Sequence, residues 1–237
     1  MEIHPVLFVS LGPGEPELIT IKGLKALQAA DVVFCPQTVT KDGRTLSRAA
    51  DIMQQLAIPE SNVCRFPLPM SKQREQAMNA YNRVYTEASA LHRNGKKVCI
   101  VAEGDAGFYS SIHYIYEQLQ ADGIPVSHIA GIPAFIAAGA RAGLHVASQE
   151  ERLTVIPGST TAEEIEKLIH EKSAIVIMKL SQCIDEVHRC IRLHPEYSYH
   201  YFENIGTPEE KYLSDSKQIA ALRFPYFSLL IIRIDSF

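Results

Sequence analysis

The chain has 237 residues, 46% of them apolar, with 23 Lys plus Arg against 27 Asp plus Glu and a formal net charge of −4. That balance supports a substantial buried core and excludes a disordered chain, and at about 150 residues per domain it gives one large domain or two small ones. No basic block tracks along the sequence, which argues against a nucleic-acid partner and for a small or acidic one.

The opening, Met1-Glu2-Ile3-His4-Pro5, has neither a basic nor an apolar leader region, so no signal peptide is expected. The longest apolar stretches, around 132–140 and 226–232, fall short of the roughly 18 residues a spanning helix needs, so no membrane partner is expected. Five cysteines, Cys35, Cys64, Cys99, Cys183 and Cys190, are odd in number and widely spaced. They suit reduced thiols and a cytoplasmic location better than a disulfide framework.

In chain order, Val6 to Leu11 reads as a buried strand ending at Gly12-Pro13-Gly14, followed by a helix with Leu18, Ile21, Leu24 and Leu27 on one face and Thr20 as N-cap. Asp31 to Cys35 and Lys97 to Ala102 are further strands. Between them, Lys72 to Asn94 carries a helical face of Ala77, Tyr81, Val84, Ala88 and Leu91, stopped by Gly95. Strand and helix alternate, which predicts an α/β fold with a largely parallel sheet. From Val126 onward strands dominate: 126–129, 153–156, 173–178, 197–203 and 226–234, with helices at 133–142, 161–171 and 181–193. This pattern predicts two α/β domains, 1–124 and 125–237, the second with a mixed sheet.

Two glycine-bearing loops leave the carboxyl ends of buried strands, where open α/β sheets bind ligands. In the first, Gly12-Pro13-Gly14-Glu15-Pro16-Glu17, a dinucleotide fingerprint would require glycine where Glu17 stands. In the second, Glu103 to Ser110, the Asp105 carboxylate either accepts hydrogen bonds from a ligand or caps the next helix. Cys183, Asp185, His188 and Cys190 resemble a ligand set. However, Cys183, Ile184, Val187, Cys190 and Ile191 follow the spacing of a buried helix face, and no zinc spacing is matched, so no metal site is expected. The nine histidines offer no HExxH motif and no GxSxG partner.

Together these loops carry a resemblance. Val9 to Leu24 is similar to the opening signature of the tetrapyrrole (corrin/porphyrin) methylase family. Glu103-Gly104-Asp105 with Tyr109 resembles its second signature, Gly131-Ile132-Pro133-Ala134 its third loop, Met178 the methionine that follows a strand, and Glu203 to Glu209 its late loop. The resemblance runs over essentially the whole chain. It implies two α/β domains with S-adenosylmethionine (SAM) in the cleft between them, usually a homodimer, and methyl transfer to a tetrapyrrole substrate. The stretches 102–110, 139–153 and 225–230 look most like members that methylate C20 of precorrin-2 or cobalt-factor II in cobalamin synthesis. The alternatives are another ring carbon, uroporphyrinogen III as substrate, or a non-catalytic tetrapyrrole- or nucleotide-binding module.

The resemblance further implies SAM contacts from Pro13, Gly104, Asp105, Phe108, Tyr109, Pro133, Ala134, Met178 and Ile205, and names no catalytic residue. The substrate's carboxylates call for cations, with Arg44, Arg48, Lys72 and Arg74 as candidates. Where the family usually has Pro after the Asp of the second signature, this chain has Ala106-Gly107, which predicts a more mobile loop. Pro133 stands where relatives often have a small hydroxyl residue.

Overall fold

A computed structural model describes residues 4–39, 45–69 and 74–233. The chain divides into two compact units, one ending at Pro133 and the other starting at Ala134.

The first unit is built on a sheet of β1 (Val6–Ser10), β2 (Val32–Val39), β4 (Val63–Pro69), β5 (Val98–Ala102) and β6 (Val126–Ile129), with a two-residue β3 (Thr45–Leu46). The order β4-β2-β5-β1-β6 is parallel throughout, and β3 adds an antiparallel pairing at the far end of β2. Alternate residues of these strands enter two separate cores. Val6, Phe8, Phe34, Val98 and Ile100 pack with Tyr81, Val84 and Ala88 of α3 (Arg74–Arg93) and with Ile115 and Leu119 of α4 (His113–Ala121). Val9, Val33, Cys35, Cys99 and Val101 pack with Leu27 of α1 (Ile21–Gln28) and with Ala49, Ile52 and Met53 of α2 (Arg48–Gln55). Burial on both faces is why β1, β5 and the first half of β2 read as nearly unbroken apolar runs.

Thr20 caps α1 as expected, its hydroxyl accepting from the Gly23 N–H at 3.1 Å. Gly95, at φ 76°, ends α3 by donating to the His92 carbonyl at 2.9 Å. The sequence reading missed β4, whose Arg65, Pro67 and Pro69 break an apolar pattern. An edge strand tolerates such residues because one side of its backbone is unpaired. The reading also ended β2 too early: Pro36 continues the strand past the last residue that pairs with β5.

The domain boundary differs as well. β6, assigned from sequence to the second half, pairs in parallel with β1 from Val6↔Val126 to Val9↔Ile129. The first unit therefore runs to Pro133 and not to residue 124.

The second unit holds α5 (Ala134–Arg141) and a five-stranded mixed sheet of β7 (Arg152–Ile156), β8 (Ser173–Met178), β9 (Ser198–Glu203), β10 (Lys211–Leu213) and β11 (Ser228–Arg233), in the order β10-β9-β11-β8-β7. Only β7 and β8 run parallel. One face packs Ile175, Ile177, Tyr199, Tyr201, Leu230 and Ile232 against α6 (Ala162–His170), α7 (Ile184–Leu193) and α8 (Ser216–Ala220). Cys183, Val187, Cys190 and Ile191 are buried in that core, the helix-face assignment made from their spacing. No helix among the described residues is long and apolar enough to cross a membrane.

At the end of α7 the His194 ring lies between two carboxylates, Nε2 at 3.0 Å from Glu166 of α6 and Nδ1 at 3.2 Å from Glu196. The hydrogen bond to Glu166 leads in holding its pKa above the usual imidazole value. A histidine more basic when folded contributes stability in full below the unfolded pKa near 6.5, and loses it as pH rises through the folded value. Melting curves of wild type and His194→Gln should therefore differ by a few degrees below pH 6.5 and draw together as pH rises above it, at roughly the scale of a partly exposed ion pair. A constant difference across that range would assign the effect to packing alone.

Candidate functional site

In the first unit, β1, β5 and β6 end at one level, and the loops leaving them are tied together by backbone bonds. Gly12 and Gly104 bond reciprocally, Gly12 N–H to Gly104 O at 3.1 Å and Gly104 N–H to Gly12 O at 2.7 Å. Gly12, at φ 78°, occupies the left-handed region that favours glycine.

Ser10, the last residue of β1, is fully buried. Its hydroxyl donates to the Ile129 carbonyl at 2.6 Å and accepts the Ala106 N–H at 2.8 Å. Asp105 completes the join: Oδ1 accepts from Gly107 N–H at 2.8 Å and Oδ2 from Gly131 N–H at 2.6 Å. Gly131 fits only because it lacks a side chain. A Cβ there would stand 2.3 Å from the Ser10 Cβ and 2.6 Å from the Gly104 carbonyl oxygen.

These contacts revise two expectations. Asp105 does not cap the following helix, which begins at His113 without any side-chain cap; it closes a local turn and holds the third loop. The Ala106 position is anchored, not loose: Ala106 is buried and its N–H bonds to Ser10, a donor that proline lacks. Sequence reasoning missed Ser10, although a hydroxyl ending an apolar strand just before Gly-Pro-Gly is a visible signal.

Behind the second loop, Glu103 faces α2. Burial raises its pKa, while the Arg48 guanidinium and a hydrogen bond from the Ala49 backbone oppose that rise. Arg48, proposed from sequence as a substrate contact, thus stands beside Glu103 at the start of α2. Arg44 and Lys72 lie outside the described residues, and Arg74 is the first residue of α3. Among the expected cofactor contacts of this unit, Pro13 is buried, and Phe108 and the half-exposed Tyr109 pack edge to face at 4.6 Å between ring centroids.

In the second unit, Met178 ends β8 and is half-buried, and Ile205 is buried in the loop after β9. That loop is clamped from two directions. Asn204 N–H donates to the Phe227 carbonyl at 3.0 Å, and Glu210 accepts both Gly206 N–H at 2.9 Å and Arg141 Nε at 2.6 Å. Ala134 opens α5, one residue beyond Pro133.

Among the described residues, five other than glycine have positive φ: Ala57, Tyr109, Lys172, Lys179 and Asn204. Ala57 and Lys172 follow the caps of α2 and α6, where a left-handed residue ends many helices. The other three sit in the second loop, directly after Met178, and beside Ile205. Such strain costs on the order of 1 kcal/mol or more and concentrates at binding sites. Burial pushes the Cys35 and Cys183 thiols up to about 11 and Cys99 to about 12, and raises Cys64 and Cys190. No cluster of three or more His, Cys, Asp or Glu side chains suited to a metal occurs among the described residues.

Two α/β units with strained, hydrogen-bonded loops after their strands define a ligand-binding α/β protein of the class in which the backbone cradles a small molecule. Residues 5–219 match the tetrapyrrole (corrin/porphyrin) methylases, and the chain belongs to that family of SAM-using methyltransferases. A precorrin-2 C(20)-methyltransferase from Sinorhizobium sp is 29% identical over 232 residues, 94% of this chain and 93% of that protein. A probable cobalt-precorrin-2 C(20)-methyltransferase from Methanocaldococcus jannaschii is 28% identical, covering 75% of this chain and 73% of its own length. The uroporphyrin-III C-methyl transferase from Thermus thermophilus, solved in complex with S-adenyl homocysteine, superposes with a TM-score of 0.67 at 18% identity, over 97% of each chain.

Because Gly131 has no room for a methyl group, Gly131→Ala should lower stability by about 1 to 3 kcal/mol and weaken S-adenosylhomocysteine binding, read by thermal melting and calorimetry. Asp105→Asn replaces one acceptor by a donor facing an N–H, and it should weaken that binding roughly tenfold or more. Unchanged affinity in both variants would dissociate this loop from the cofactor.

Proposed function

We propose that the chain transfers a methyl group from SAM to C20 of precorrin-2 or of its cobalt complex, a step of corrin-ring construction in cobalamin biosynthesis. The observation that carries this reading is the similarity to a precorrin-2 C(20)-methyltransferase over nearly the full length of both chains. A uroporphyrinogen-III C-methyltransferase is 31% identical over 61% of this chain and a cobalt-precorrin-4 C(11)-methyltransferase 29% identical over 77% of it, so methylation of uroporphyrinogen III or of another ring carbon is the second reading.

The residues fit such a cofactor. Gly12 and Gly104 hold their loops open at the backbone, Phe108 and Tyr109 supply aromatic surface, and Met178 and Ile205 offer apolar walls for a purine. Pro13, Asp105, Pro133 and Ala134 complete the set, Asp105 acting by holding the Gly107 and Gly131 amides in place. The bound cofactor supplies an electrophilic methyl on a sulfonium, received directly by an electron-rich ring carbon. What remains for the protein is alignment and exclusion of water, which need no side-chain nucleophile. Protonated, buried thiols agree with that division of labour. The working form is proposed to be a cytoplasmic homodimer.

An anaerobic assay with precorrin-2, its cobalt form and uroporphyrinogen III, read by product mass and isotope position, should give one added methyl at C20 of a precorrin-2 ring and none on uroporphyrinogen III. Methylation of uroporphyrinogen III or of another carbon supports the second reading, and tight S-adenosylhomocysteine binding without turnover on any tetrapyrrole supports a binding module. For the purine wall, Met178→Leu keeps volume and apolarity and should bind S-adenosylhomocysteine within a few-fold of wild type, whereas Met178→Lys should bind too weakly to measure. Equal loss in both variants would indicate a folding defect.

A further inference from the structure

The residue after Met178 has no role in the account so far. Lys179 is half-buried at φ 54° and ψ 51°, and its carbonyl accepts the Gln182 N–H at 3.0 Å. Lys172, at the opposite end of β8, has the same φ but is exposed and follows the cap of α6, so its conformation belongs to helix termination. Lys179 follows a strand and is flanked by Met178 and the fully buried Leu180. It stands at the N-terminus of the short 3-10 turn Leu180–Gln182, a position that helices usually open with extended and not left-handed backbone.

Its place in the sheet is distinctive. β7 and β8 form the one parallel pair of the second sheet, and Lys179 stands at their carboxyl end. The two loops leaving that end meet closely: a Cβ on Gly158, after β7, would stand 2.3 Å from Gln182 Oε1. Carboxyl ends of parallel strands are where open α/β sheets take ligands. No ion pair joins Lys179 to any carboxylate among the described residues, and burial alone holds its pKa below the usual lysine value. A partly desolvated ammonium without a counter-ion gains most from an anion brought by a ligand.

We propose that Lys179 is a carboxylate-binding residue, set at the carboxyl end of β7 and β8 to receive one carboxylate of a bound ligand. The proposal rests on the methyltransferase reading for the identity of that ligand. Two sources share the chemistry: the amino-acid carboxylate of the cofactor and an acetate or propionate arm of the tetrapyrrole.

The test uses Lys179→Met, which removes the charge but keeps the stem, Lys179→Arg, which restores a cation, and Lys172→Met as an exposed comparator with the same backbone. Calorimetry with S-adenosylhomocysteine and with 5′-methylthioadenosine, which lacks the amino-acid portion, is paired with steady-state kinetics on precorrin-2. If the cofactor supplies the carboxylate, Lys179→Met weakens S-adenosylhomocysteine roughly tenfold to a hundredfold and leaves methylthioadenosine unchanged. If the tetrapyrrole supplies it, cofactor affinity is kept and the substrate KM rises by a similar factor with kcat preserved. In either case Lys179→Arg recovers most of the loss and Lys172→Met shows none.

A Lys179→Met protein that melts like wild type and keeps both constants within about twofold overturns the proposal. Should that variant misfold, Lys179→Gly, which suits left-handed backbone, carries the same readouts. Failure of the wild-type chain to bind S-adenosylhomocysteine would count against the methyltransferase reading itself, separately from these comparisons.

Discussion

The first unit turns on the junction where three parallel strands stop. At the carboxyl end of β1, β5 and β6 the ladder runs out, and the N–H and carbonyl groups beyond it must find other partners or stay buried and unsatisfied. Ser10 and Asp105 meet that requirement with four hydrogen bonds, to Ile129, Ala106, Gly107 and Gly131. The same four bonds set the course of the second and third loops. Satisfying the end of the sheet and shaping the loops are one event, so the glycines there serve close approach as well as turn geometry.

The second unit reaches a comparable result by other means. Its mixed sheet has one parallel junction, and the loop bearing Ile205 lies on the antiparallel side, where it is clamped by Glu210 and by the backbone ahead of β11. A carboxylate accepting loop amides recurs: Asp105 does this in the first unit and Glu210 in the second. Each fixes backbone without occupying the loop's outer surface. Two of the three non-glycine positive φ angles not explained by helix ends among the described residues, Tyr109 and Asn204, fall in these loops, where rigid surroundings can sustain strain.

This arrangement suits a reaction whose chemical drive resides in the small molecules. The five thiols are made less acidic by burial, and the loops carry apolar surface and oriented amides. Similarity in fold alone does not select a ring position among tetrapyrroles.

Local sequence determined the elements whose signals are local. Val6 to Ser10 and Val98 to Ala102 could be read as buried strands because both their faces are apolar, the α1 cap followed from Thr20, and the end of α3 from Gly95. The loop motifs were legible for a related reason: glycine, proline and aspartate restrict turns through their own stereochemistry. Tertiary structure decided what depends on partners far along the chain. β6 joined the first sheet because its hydrogen bonds go to β1, more than a hundred residues earlier, and Pro36 and Pro67 became strand residues because β2 and β4 pair side by side. It also gave Asp105 its internal partners, placed Arg48 beside Glu103, and exposed the role of Ser10. Hydrogen bonds between distant segments and the burial of a charge are properties of the assembled chain, and no local pattern records them.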